Sequence, residues 1–242
     1  MSATFTALVT GGSAGIGEDI CRRMLERGWQ VVSLARRPPA IRHEGLVGLE
    51  VDLLDPAATA EVAAEVARRF EITHVVHNAG LVWPNLLGEV EPEEVAGLTQ
   101  IHVTAPLVLT QAVLPGLRRR GFGRIVFVTS RAAMGVPTRT AYSATKAAVH
   151  GMARTWALEL GQDGITVNVV APGPVRTENF WGIIPKDSAR ETELAAALPV
   201  RRLGSVEDVS RAVMFFAEPE AGFVTGQVLF VCGGASLGGI SL

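Results

Sequence analysis

The chain contains one tyrosine, Tyr142, and Lys146 lies four residues further on. On a helix that spacing puts both side chains on one face. A free phenol, with a pKa of about 10, is a poor acid/base at neutral pH. An adjacent ammonium stabilises the phenolate, and each unit of downward shift corresponds to about 1.4 kcal/mol. Ser130 precedes the tyrosine by twelve residues. It stands just past a predicted strand, where its hydroxyl can hydrogen-bond a substrate oxygen. Together the three residues suit proton transfer at an oxygen atom.

A second motif points to a ligand. Thr10-Gly11-Gly12-Ser13-Ala14-Gly15-Ile16-Gly17 sits where a first strand gives way to a first helix. Glycines allow the tight turn and let backbone N–H groups approach a pyrophosphate at a helix N-terminus. The spacing is Gly-x-x-x-Gly-x-Gly, and its position in the chain makes it a dinucleotide-binding turn rather than a purely conformational one. At the end of the second strand, an acid would bond a ribose 2′-hydroxyl, whereas arginine accommodates a 2′-phosphate. Here Ala35 is followed by Arg36 and Arg37, with no acid. NADP(H) is therefore expected over NAD(H), with Arg36 on the phosphate.

These groups need a scaffold that brings strand ends together. Short Val/Ile/Leu-rich runs alternate with helical periods from end to end, the pattern of βαβ units around a parallel sheet. The predicted class is α/β, a Rossmann-type doubly wound sheet of about seven strands with helices on both faces, forming one domain. Strands are expected near 7–10, 31–34, 47–51, 74–77, 125–129, 166–170 and 228–231. Helices are expected at about 15–27, 56–70, 92–119, 141–161 and 206–217. The stretch from Pro172 to about Pro199 lacks clear periodicity, and a segment that long predicts a lid, at about 174–199.

With these motifs in place, the sequence resembles the short-chain dehydrogenase/reductase family of the simple, single-domain type. The resemblance spans essentially the whole chain. It rests on the Thr10–Gly17 turn, Asn78-Ala79-Gly80 after the fourth strand, Ser130, Tyr142-x-x-x-Lys146, and Pro172-Gly173 after the sixth strand. It implies that Tyr142 donates the proton and Ser130 orients the carbonyl. Lys146 would bind the nicotinamide ribose and lower the tyrosine pKa. It also implies that Asp52 and Leu53 lie near the adenine, that Asn78, Ala79 and Gly80 brace the sheet beside the cofactor, and that Pro172, Gly173, Val175 and Thr177 fix the nicotinamide face. Two positions depart from the family pattern. His102 stands where the family has an asparagine, and is expected to relay protons because imidazole titrates near neutrality. Cys232 stands before Gly233-Gly234 where an aspartate is common, and is expected to pack as a small hydrophobe.

Trp83, Met134, Val136, Phe180 and Trp181, with Ile183 and Ile184, are expected to face the substrate, which predicts a small hydrophobic carbonyl compound. The leading expectation is a carbonyl reductase or alcohol dehydrogenase for a free ketone or secondary alcohol. The alternative is a 3-oxoacyl-[acyl carrier protein] or 3-oxoacyl-CoA reductase. For the carrier protein, Arg124 fits one docking cation, but Asp163 stands where a second would be. A non-catalytic NADP-binding regulator is the rival from another class.

Composition narrows the field. A formal net charge of −2 over 242 residues argues against a nucleic-acid binder. The run Arg118-Arg119-Arg120 precedes Gly121 and reads as cations at a helix C-terminus. The two cysteines, Cys21 and Cys232, have neither disulfide nor metal-ligand spacing. No signal sequence and no membrane span are expected, so a cytoplasmic setting is predicted. A homodimer or homotetramer is implied by the resemblance, with Trp156, Leu160 and Phe230 as compatible interface residues.

Overall fold

A computed structural model describes residues 5–237. Seven strands form one parallel sheet in the order β3-β2-β1-β4-β5-β6-β7. They are β1 (Thr6–Thr10), β2 (Gln30–Ala35), β3 (Leu46–Glu50), β4 (His74–His77), β5 (Gly123–Val128), β6 (Ile165–Pro172) and β7 (Val228–Val231). All pairings are parallel. Each predicted strand is present with ends shifted by a few residues.

Alternation along the strands divides the buried side chains between two faces. Leu8, Val32, Val75, Ile125, Phe127 and Val167 belong to one core, and Ala7, Val9, Val31, Val76 and Val126 to the other. The first face packs against α2 (Pro56–Arg69), α4 (Ala105–Arg120) and α5 (Thr140–Leu160). The second face packs against α1 (Gly15–Glu26) and α8 (Val206–Ala217). The chain reverses its direction of winding between β1 and β4, and the carboxyl ends of strands at such a switch point flank a crevice.

Local chemistry explains the boundaries. Asp55 caps α2 by accepting from the N–H groups of Ala57 at 2.8 Å and Ala58 at 3.1 Å, with Pro56 in the first turn. Gly121 ends α4 at φ 64°, a left-handed cap glycine. Arg118 in that last turn pairs with Asp163 at 2.8 Å.

Three segments differ from the sequence expectation. The helix predicted over 92–119 is α3 (Pro92–Thr99), a π-helical turn (Gln100–Thr104) and α4. The whole run Pro92–Arg120 is, by length and composition alone, apolar enough to cross a membrane. Yet Leu98, Ile101, Leu109, Val113 and Leu117 are buried in the core of this fold. The stretch 174–199 contains two short helices, α6 (Glu178–Trp181) and α7 (Ala189–Ala197). Thr177 and Ser188 cap them, local signals too brief to show as periodicity. Finally, Leu160 is buried in the core, while Trp156 is half-buried and packs on Phe127 with ring centroids 5.4 Å apart.

Candidate active site

A cleft of about 640 Å³ opens at the carboxyl ends of the strands. At one end lies the glycine turn. Gly11 has φ 69°, and a Cβ there would come within 3.0 Å of the Ala79 backbone. The cap position of α1 is Ala14, which offers no side-chain acceptor. The first-turn N–H groups are thus left for ligand phosphate oxygens, which fits a pyrophosphate. Thr10 Oγ1 accepts from the N–H groups of Asn78 and Ala79, both at 3.0 Å. Asn78 Nδ2 donates to the carbonyls of Thr10 and Gly11 at 3.1 and 3.2 Å. The end of β4 is thereby tied to the turn.

The predicted cofactor residues all line this cleft except Gly17. A Cβ on Gly17 would sit 2.1 Å from the Gly11 carbonyl oxygen, so its role is close packing of helix on turn. Arg36 is exposed on the cleft wall, while Arg37 reaches Glu178 at 3.3 Å.

At the other end the acid/base residues converge. Tyr142 and Lys146 project from the first turns of α5, and Ser130 follows β5. Lys146 is buried, donates to the Val128 carbonyl at 3.2 Å, and lies 5.6 Å from the Tyr142 ring centroid. Burial pulls its ammonium down to about 8. Burial also raises the Tyr142 phenol, opposed by its hydrogen bond to Ser130 and by the charge of Arg139. The phenol is therefore fully protonated in neutral solution. Ser130 Oγ accepts from Ala132 N at 3.1 Å, which orients the hydroxyl. The arrangement offers a protonated phenol beside a second hydroxyl and a buried ammonium, suited to giving a proton to a carbonyl oxygen as it becomes an alcohol.

His102 departs from its predicted role. The Leu81 N–H donates to Nε2 at 3.3 Å, so the ring proton lies on Nδ1 and faces Thr145 Oγ1 at 2.9 Å. The Thr145 hydroxyl donates its own hydrogen bond to the carbonyl of Ala141 or Tyr142, at 3.0 and 3.1 Å. Burial, helped by the nearby Lys146 charge, pushes the imidazole down to about 2. Burial thus favours the neutral ring. The ring ties the π-turn to α5.

The substrate end also corrects several expectations. Val136, Phe180, Ile183 and Ile184 line the cleft, joined by Leu194. Trp83 does not, since its ring lies against Gly97 of α3 and packs on the core. Met134 is exposed and outside the lining, and Trp181 lies outside it beneath Lys186 at 5.2 Å. Cys232 is buried with its Cα 2.8 Å from where a Gly173 Cβ would be, but its Sγ lies 3.1 Å from Ser236 Oγ, so it does not pack purely as a hydrophobe. One feature escaped the sequence. Glu191 of α7 is buried, takes Arg176 at 2.9 Å and the Asp187 N–H at 2.8 Å, and so fastens the lid to the loop after β6. Arg131 and Arg139, which the sequence places beside the site and reads first as solvated loop residues, both line the cleft.

A family profile described as enoyl-(acyl carrier protein) reductase matches residues 11–236. The chain belongs to the short-chain dehydrogenase/reductase family. Like other members of that family, it is an oxidoreductase acting on hydroxyl and carbonyl groups. It is 34% identical, over 96% of both chains, to the BbsD subunit of (2S)-[(R)-hydroxy(phenyl)methyl]succinyl-CoA dehydrogenase of Thauera aromatica. It is 33% identical to the 3-oxoacyl-[acyl-carrier-protein] reductase FabG of Vibrio cholerae, over 94% of this chain and 96% of that one. Among solved structures, a putative NAD(P)-dependent gluconate 5-dehydrogenase from Beutenbergia cavernae with bound NADP superimposes with a TM-score of 0.88, at 31% identity over 96% and 97% of the two chains.

Proposed function

We propose that this short-chain reductase reduces the 3-oxo group of a 3-oxoacyl thioester, with NADPH as reductant and coenzyme A as the thiol. The observation that carries the reaction is the convergence of half-buried Ser130 and Tyr142 with buried Lys146 at the floor of the cleft. When bound, the reduced nicotinamide supplies the hydride. Tyr142 gives its phenolic proton to the carbonyl oxygen, Ser130 hydrogen-bonds the same oxygen, and Lys146 holds the cofactor ribose while stabilising the phenolate left behind. The glycine turn would hold the pyrophosphate and Arg36 the 2′-phosphate. A positioned general acid of this kind contributes roughly 10²–10⁴-fold.

The free ketone, first in expectation from the sequence, yields to the thioester because BbsD and FabG are both named for CoA or carrier-protein thioesters, although the gluconate 5-dehydrogenase is not. Coenzyme A is preferred over the carrier protein for a structural reason. Arg124, the anticipated docking cation, is buried. Its guanidinium donates to the carbonyls of Gly123, Gly164, Glu218 and Pro219 and lies 4.3 Å from the Phe122 ring centroid. Asp163 is occupied by Arg118. Arg124 is therefore not free to meet an acidic partner, and Asp163 supplies an anion where a second cation would be needed. We also propose a cytoplasmic homodimer or homotetramer, with exposed Phe215 and Phe223 as apolar surface for a second copy.

The test is the initial rate with one 3-oxoacyl group presented on coenzyme A, on carrier protein, and as a free ketone, each with NADPH and NADH. The expected result is fastest turnover of the CoA thioester, with at least a tenfold preference for NADPH. Faster turnover on the carrier protein overturns the choice of coenzyme A, and turnover of only the free ketone overturns the thioester. Cofactor binding with no carbonyl reduced would favour the regulator.

A further inference from the structure

The cleft rim carries a cation whose environment is built rather than solvated. Thr138 has φ 65°, in the left-handed region that a β-branched residue adopts only under constraint. Three hydrogen bonds from two residues hold it. Its carbonyl accepts from the Asn85 N–H at 3.1 Å and from Arg139 Nη1 at 3.1 Å, and its hydroxyl accepts from the same Nη1 at 2.5 Å. One nitrogen of the guanidinium is thereby pinned. The opposite edge, Nε with Nη2, meets no acceptor among the described residues. That edge is a side-on fork, the shape that grips a carboxylate through two parallel N–H···O bonds.

Its surroundings leave the charge available. Arg139 is half-buried on the cleft wall, and its charge is felt by the Tyr142 phenol. The nearby Glu94 is taken by Asn85 Nδ2 at 2.5 Å, and Glu178 is taken by Arg37. Asp52 belongs to the cofactor end, where it accepts from Leu54 N at 3.0 Å. Apolar Val136, Phe180 and Ile184 share the lining, and apolar walls strengthen an ionic hydrogen bond.

We propose that Arg139 binds a free carboxylate carried on the acyl part of the substrate, a few bonds from the carbon that is reduced. The inference rests on the thioester reading and narrows it to 3-oxoacyl thioesters bearing a second acid group. A phosphate of coenzyme A is the other anion at hand. The pantetheine arm, however, separates it from the reacting carbon by far more than the first turn of α5 separates Arg139 from Tyr142.

The experiment compares 3-oxoadipyl with 3-oxohexanoyl thioesters, which share a chain length and differ in the terminal carboxylate. Both are presented on coenzyme A and on N-acetylcysteamine, which has no phosphate, to wild type and Arg139→Gln. With the N-acetylcysteamine pair, wild type should favour the acid by about 10- to 100-fold in kcat/KM, the range of a hydrogen-bonded charge. In Arg139→Gln that ratio should fall to near one. Equal rates for the pair in wild type, or a ratio that survives the substitution, overturn the proposal. A loss confined to the CoA thioesters, equal for acid and neutral chains, would assign Arg139 to phosphate and also overturn it. Calorimetric binding of 4-oxo-4-phenylbutanoate and its methyl ester to the NADP-loaded protein gives a readout independent of turnover. Tighter binding of the acid that disappears in Arg139→Gln supports the carboxylate site even if no thioester is reduced, and no difference overturns it.

Discussion

The floor and the rim of the cleft are made differently. The floor is β4, β5, the π-turn and the start of α5, where Lys146, His102 and Thr145 are buried and each polar head has a partner. The rim is the 131–139 loop and α6–α7, where Arg190 and Ile183 are exposed, Arg139 is half-buried, and Thr138 and Asp187 have positive φ. A group in the floor has its protonation state set by burial, so the floor defines the reaction. Rim groups keep their charge and can meet whatever the substrate presents, so the rim defines what is reduced.

That contrast can be broken at three points beside the rim test of Arg139. The largest effect is expected from Tyr142→Phe, which removes the proton donor without altering packing. Turnover should fall about 10²–10⁴-fold while cofactor binding, followed by fluorescence titration, stays within threefold. A smaller loss would move the acid role elsewhere and dissolve the floor as the reaction centre.

A stability effect comes next. Lys146 ionises at about 8 in the folded protein, below its ordinary value of 10.5. Between those values the unfolded chain binds more protons than the folded one, so stability rises with pH across that window. At neutral pH the folded protein therefore carries the full cost of the buried charge. Lys146→Met should melt a few degrees higher than wild type at pH 7, with about 2–4 °C for each kcal/mol in a protein of this size. The gain should shrink as the pH passes through 8 toward 10. A gain independent of pH would mean the ammonium is not desolvated.

The smallest effect is expected at His102. With its imidazole ionising at about 2, His102→Asn should leave the shape of the kcat/KM profile between pH 6 and 8 unchanged, whatever it does to the absolute rate. A profile that flattens in the variant would restore the proton relay and make the floor titratable.

Much of this was legible in the sequence because it rests on local rules. The parallel strands show as continuous apolar runs, and the glycine turn and the Tyr142/Lys146 pair are read from spacing along one strand or helix. The π-turn at Gln100–Thr104 was not legible, since its periodicity differs from an α-helix by too little over five residues. Trp83 and Trp181 were misplaced for a related reason. Composition marks an aromatic side chain as buried but not which of two neighbouring surfaces buries it.

The chain by itself determined the alternation of elements, the phosphate-binding turn and the proton donor, each encoded within a few consecutive residues. Only the tertiary structure decided the states of the ionisable groups. Burial, with the Lys146 charge brought close by the fold, favours the neutral form of His102, whose ring nitrogens meet Leu81 and Thr145, 21 and 43 residues away. Arg124 is unavailable as a docking cation because carbonyls up to 95 residues distant enclose it. Charge and hydrogen bonding depend on distances in space and on exclusion of water, and neither follows from position along the chain.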